Sequence, residues 1–133
     1  MKIKPKIGVV SCSGECCGLG TISRVATRLV LEGSDERVTI CLPLFLAGES
    51  TEHSFAKDHS TIARDGCGKH FAYKAITKYS KEPAAGVDVE ALIKEWGIEA
   101  PKRRRTLEDD GLKAALRLAE LLAVKTDEIQ EAV

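Results

Sequence analysis

The sequence predicts an α/β fold: one small domain in which a short, mainly parallel sheet is flanked by helices, with cysteines at the C-terminal edge of the strands. Three observations carry this. An apolar run, Ile7-Gly8-Val9-Val10, is followed by a glycine-containing turn and a helix-periodic stretch, and then by a second β-branched run, Arg37-Val38-Thr39-Ile40-Cys41-Leu42. A strand–helix–strand unit of this kind pairs in parallel through a right-handed crossover. Third, Cys12, Cys41 and Cys67 each fall at or just past the end of a predicted strand.

Taken in order, Lys6 to Ser11 reads as the first strand and Gly14 to Gly20 as a turn. A helix opens at Thr21 or Ser23, because Ile22, Val25, Ala26, Leu29 and Val30 recur at spacings of three and four; Gly33 ends it. The second strand runs from Arg37 to Leu42 and is stopped by Pro43. The stretch from Gly48 to His59 is polar without a period and reads as a loop. Thr61-Ile62-Ala63-Arg64 is a third, weaker strand leading into Asp65-Gly66-Cys67-Gly68, and a helix from Lys69 to about Tyr79 follows. Val87 to Glu95 reads as a helix with Asp88 as its N-cap. Thr106-Leu107-Glu108-Asp109 is a capping-box pattern that opens a long helix carrying Leu112, Ala115, Leu116, Leu118, Ala119 and Leu122. The expected organisation is a core over about residues 6–98 and a helical C-terminal extension over about 106–133. Trp96 is expected in the core.

The totals set limits on function. A chain of 133 residues, 44% hydrophobic and 30% charged, is long enough to bury a core unaided. Lys+Arg and Asp+Glu both number 20, so no broad basic face for nucleic acid or an anionic membrane is expected. Lys102-Arg103-Arg104-Arg105 reads as a solvated linker. The longest apolar stretch, Ile40 to Ala47, is too short to span a bilayer. The basic start leads into an apolar run too short for a signal peptide, so a cytoplasmic location is expected. In a reducing compartment five cysteines are thiols, metal ligands or catalytic groups rather than disulfides.

Parallel strands place their carboxyl ends along one edge, where open α/β sheets form ligand sites. Cys12, Cys41 and Cys67, far apart in sequence, are therefore expected to converge there. Cys12-Ser13-Gly14-Glu15-Cys16-Cys17 adds up to two further thiols, and zinc prefers four ligands in a tetrahedron, with cysteine sulfur foremost. Cys16 and Cys17 are adjacent and cannot easily both aim at one ion. His70, three residues after Cys67, is the best substitute ligand, ahead of His53 and His59. Cys12 and Cys67 each precede a predicted helix, whose amino end favours thiolate. Cys41, inside an apolar strand, serves equally well as a small buried group. Asp65 is expected to form the turn or to accept hydrogen bonds behind the site.

At Cys12-Ser13-Gly14 and Asp65-Gly66-Cys67 the sequence resembles the family of zinc-binding proteins named for its D-G-C motif. The resemblance covers roughly Lys6 to Ile98. It implies a small prokaryotic protein of undefined physiological role that holds zinc through four cysteines: Cys12, Cys41 and Cys67, with Cys16 or Cys17. Two positions depart from the pattern. Phe71 stands where the family often has a cysteine, and Glu15 stands where a C-S-G-C turn would have one. These departures admit His70 or Glu15 as ligands and an open coordination position, hence catalysis.

The rival class is a thiol-dependent redox or sulfur-transfer protein, or an iron–sulfur protein, since four thiolates suit a cluster as well. No C-x-x-C motif is present. The first turn also resembles the loop of low-molecular-weight tyrosine phosphatases, but that chemistry wants an arginine where this chain has Gly18. The expected partner is a metal ion; a protein partner or homo-oligomer stays open.

Overall fold

The structure, a computed structural model, describes residues 5–12 and 17–132. It is an α/β fold built on four parallel strands in the order β2-β1-β3-β4: β1 (Ile7–Ser11), β2 (Arg37–Val38), β3 (Thr61–Asp65) and β4 (Ala85–Asp88). The helices are α1 (Gly18–Glu32), α2 (Leu42–Leu46), α3 (Ser50–Asp58), α4 (Phe71–Tyr79), α5 (Val89–Glu95) and α6 (Asp109–Ala132). None of the described helices is long and apolar enough to cross a membrane.

The central strand β1 is apolar on both faces because both faces of the sheet are covered, as parallel sheets require. Ile7, Val9 and Ile62 point into one layer, where Ile22 and Ala26 of α1, Ile93 of α5 and Leu118 and Leu122 of α6 pack with them. Val10 and Ala63 point the other way, into a layer with Phe45 of α2, Ala56 of α3 and Ile76 of α4. The long helix α6 lies against α1, with Ala114, Ala115, Leu118 and Leu122 fully buried.

Four local expectations are corrected. The second strand is two residues long, not six, because β2 is an edge strand and Pro43 sits in the first turn of α2, where a missing N–H costs nothing. Ile40 turns into the α2/α4 layer instead. The polar stretch before β3 is helix α3; it buries only Ala56 fully, so no periodic stripe announces it, and Phe55 docks on Gly8, where a Cβ would stand 2.9 Å from its ring. Strand β4 begins with Ala85 and Gly86, poor strand formers. It exists because it completes the ladder with β3 and because Tyr73 covers Gly86, where a Cβ would stand 2.7 Å from the nearest ring carbon. Helix α1 starts at Gly18, earlier than its apolar stripe suggests. Asp88 does cap α5, accepting from the Ala91 N–H at 3.1 Å.

Candidate functional site

Strands β1 and β3 lie side by side, with Val10 opposite Ala63 and Ser11 opposite Arg64. The Cys12 N–H donates to the Arg64 carbonyl at 3.0 Å, so the ladder carries Cys12 to the sheet edge. The Asp65-Gly66-Cys67 turn then folds over it, and the Gly66 N–H points at the Cys12 sulfur, 3.4 Å away. Cys67 follows directly and acts electrostatically on Cys12. Of the three cysteines expected along this edge, Cys12 and Cys67 both lie at the carboxyl ends of β1 and β3.

The turn is anchored on several sides. Asp65 is buried, and its carboxylate accepts from the Ala72 N–H at 2.7 Å and the Tyr73 N–H at 3.2 Å, capping α4 from outside the helix. The Gly66 carbonyl accepts from the Glu90 N–H at 3.1 Å, which ties the turn to α5. Gly66 also lies against the first turn of α1: a Cβ there would stand 2.6 Å from the Gly20 nitrogen. Only glycine fits, since the neighbour is backbone and cannot rotate away. Asp65, Gly66 and Cys67 therefore fill three different roles: cap, close approach and thiol.

The other predicted ligands are arranged differently. Cys17 holds the N-cap position of α1, half-buried, and packs against the same apolar layer as Cys67. Cys41 is exposed at the N-cap of α2, and its N–H donates to Glu52 at 3.1 Å, so neither the buried apolar role nor a strand end describes it. Cys16 and Glu15 lie outside the described residues. His70 adopts left-handed backbone (φ 54°) before α4, and its Nε2 lies 3.3 Å from an Asp88 carboxylate oxygen. The ring nitrogens of His53 and His59 meet the carbonyls of Phe45 and Phe55. Among the described residues, no three or more Cys, His, Asp or Glu side chains are gathered as a ready metal cage. The described cysteines are free thiols.

The electrostatics reverse one expectation. Burial pushes the Cys12 thiol above its ordinary value and outweighs the Gly66 N–H, which pulls it down; Asp65 and Cys67 raise it further.

Arg64 is what sequence reasoning missed. It is in register with Ser11, whose hydroxyl meets Ser23 of α1 at 2.7 Å, so its side chain enters the layer beneath α1. It is 0% exposed, and none of its three side-chain nitrogens has a hydrogen-bond partner among the described residues. Burial pushes the guanidinium down to about 9, against the pull of Cys12 and Asp65, which still leaves it protonated at neutral pH. A buried cation costs several kcal/mol unless an anion meets it. The signal in the sequence was an arginine closing an otherwise apolar strand directly before Asp65-Gly66-Cys67.

The DGC domain family model matches residues 8–127, which extends past Ile98 and takes in most of α6. No curated protein and no solved structure matches the chain.

Proposed function

We propose that this chain, which belongs to the DGC domain family, is a zinc-binding protein that holds the ion through cysteine thiolates at the carboxyl edge of its sheet, in a structural or regulatory role. The observation that carries the reading is the turn that brings the Gly66 N–H to the Cys12 sulfur with Cys67 next in the chain, together with a buried Arg64 guanidinium on which Cys12 acts electrostatically and which has no hydrogen-bond partner among the described residues. A divalent ion with three thiolates has one net negative charge, and with four it has two. Such a centre would add negative charge near Arg64, on which Cys12 and Asp65 already act and which has no hydrogen-bond partner among the described residues, whereas a site of two cysteines and two histidines is neutral and would not. The donor set thus fits thiolate ligation.

Cys12 and Cys67 are the first two ligands. Cys17, half-buried on the same layer, supplies the third, with Cys16 as its alternative from the same turn. Cys41, or His70 through the ring nitrogen that Asp88 leaves, completes the shell. Zinc there would join β1, β3 and the start of α1. Thiols kept reduced for this purpose suit a cytoplasmic setting.

The test is metal and acid-labile sulfide content of untagged protein purified without oxygen, repeated on Cys17→Ser and Cys41→Ser. Zinc at about one ion per chain without labile sulfide supports the reading. Iron with labile sulfide moves the protein to electron or sulfur transfer, and no metal with fast-reacting thiols makes it a redox cysteine protein.

A further inference from the structure

Helices α2 and α4 cover the sheet face opposite α1, and a groove of about 470 Å³ lies between them, with Cys12 and Ala75 at its base. That volume is in the range of small-molecule pockets, roughly 300–1,000 Å³. Its walls are Leu46 from one helix and Phe71 and Tyr79 from the other, 51%, 60% and 46% exposed. Each helix has already met its packing needs elsewhere: Leu42 and Phe45 of α2 and Ala72 and Ile76 of α4 are buried. A solvent face would carry polar residues where Leu46 and Phe71 stand. Large apolar side chains left in water around one concavity mark a binding surface rather than a packing remainder.

The charges select the occupant. Lys74 and Lys78 lie one turn apart on α4 and both line the groove, whose wall contains no acidic residue among those described. Phe71, Lys74, Ala75, Lys78 and Tyr79 follow the spacing of a single helix face, so the apolar and cationic groups are presented together. Neither ammonium has a carboxylate partner among the described residues; Lys78 rests over the Tyr79 ring, 5.2 Å from its centroid. An apolar trough with an unneutralised cationic rim matches a molecule of the same build and opposite sign.

We infer that this groove binds a small amphipathic organic anion, whose apolar body lies between Leu46 and Phe71, whose carboxylate or sulfonate meets Lys74 and Lys78, and whose inner end reaches Cys12. Binding of this kind needs no metal at the cysteines, so the groove and the zinc site fail separately.

The test uses two fluorescent probes with the same aromatic skeleton, the anionic 8-anilinonaphthalene-1-sulfonate and the uncharged N-phenyl-1-naphthylamine. They are titrated into the full chain with and without chelator. The anionic probe is expected to bind tighter, to be displaced by decanoate and, in chelator, to slow alkylation of Cys12 followed by mass spectrometry. Charge reversal at the exposed pair, Lys74→Glu with Lys78→Glu, should weaken the anionic probe about tenfold or more and leave the neutral probe within about twofold. Leu46→Gln should weaken both, with unchanged circular dichroism in each variant. Equal affinity for the two probes, or an anionic-probe affinity untouched by charge reversal, overturns the proposal. So does a dimer in sedimentation that Leu46→Gln dissociates, because the groove would then be filled by a second copy.

Discussion

Replacing Arg64 with methionine should stabilise the metal-free protein and weaken the metal-bound one. The side chain is 0% exposed and its three nitrogens lack partners among the described residues, so the fold bears the desolvation of a cation with little in return. Exchanging a poorly compensated buried charge for an apolar group of similar length commonly gains about 1–4 kcal/mol. Methionine suits the slot because its thioether chain adapts to an irregular cavity. At this chain length a gain of that size raises the melting temperature by roughly 4 °C for each kcal/mol. Thermal and urea unfolding in the presence of a chelator, with the slope on urea unchanged, would measure it. With zinc in excess the order should reverse, since the wild type adds the free energy of binding to its stability and the variant adds less of it. If Arg64→Met in chelator is instead destabilised by about 3–5 kcal/mol, the guanidinium has an anionic partner in the metal-free fold and the charge argument for the site is wrong.

Three further outcomes follow from the same geometry. Asp65→Ala should cost about 1–3 kcal/mol in chemical unfolding, because it removes the acceptor for the Ala72 and Tyr73 N–H groups, and Asp65→Asn should cost less since one oxygen remains. Gly66→Ala places a methyl 2.6 Å from the Gly20 nitrogen and should cost about 1–3 kcal/mol or more while opening the Cys12–Cys67 turn, read as faster alkylation of Cys12. In metal-free wild type, alkylation of Cys12 should rise with pH along a curve displaced above that of an ordinary thiol, because burial raises this group. The raised value also means that the neutral thiol's contribution to stability is complete at pH below the unfolded thiol's pKa and is lost as pH climbs through the folded one. A Cys12 that titrates at or below a free thiol would contradict that burial dominates.

Much of the fold was legible in the sequence because its signals are local. Ile7 to Val10 is an apolar run that a sheet covered on both faces explains, Thr61 to Arg64 is a weaker strand signal around Ile62 and Ala63, and α1, α4 and α6 carry stripes at helical spacing. What escaped depends on contacts distant in sequence. Strand β4 is held by its neighbour β3 and by Tyr73 over Gly86, not by the propensity of Ala85 and Gly86. Helix α3 is held by Phe55 on Gly8 and by the tilted contact of His53 with the Phe45 ring, their centroids 4.3 Å apart. Helix α1 begins among glycines, where close approach of Pro101 and Arg103 to Gly18 and of Gly66 to Gly20 sets the composition.

The site divides in the same way. That Cys12 and Cys67 lie at one edge of the sheet follows from strand direction alone, with the Gly66 N–H on the Cys12 sulfur. The exposure of Cys41 follows from an early exit of the chain from the sheet, which a run of β-branched residues conceals. The Asp65 cap reaches past five residues to α4, outside any capping-box spacing, and the lack of a hydrogen-bond partner for Arg64 among the described residues is a property of the packed layer under α1. Both residues stand directly before Gly66-Cys67 in the chain.

The most direct measurement of the central claim is zinc-edge X-ray absorption on untagged protein, compared with the Cys12→Ser, Cys67→Ser double variant. Thiolate ligation predicts a shell of three or four sulfurs at about 2.3 Å that is lost in the variant. A shell of nitrogen and oxygen alone, or an unchanged sulfur shell in the variant, would contradict it.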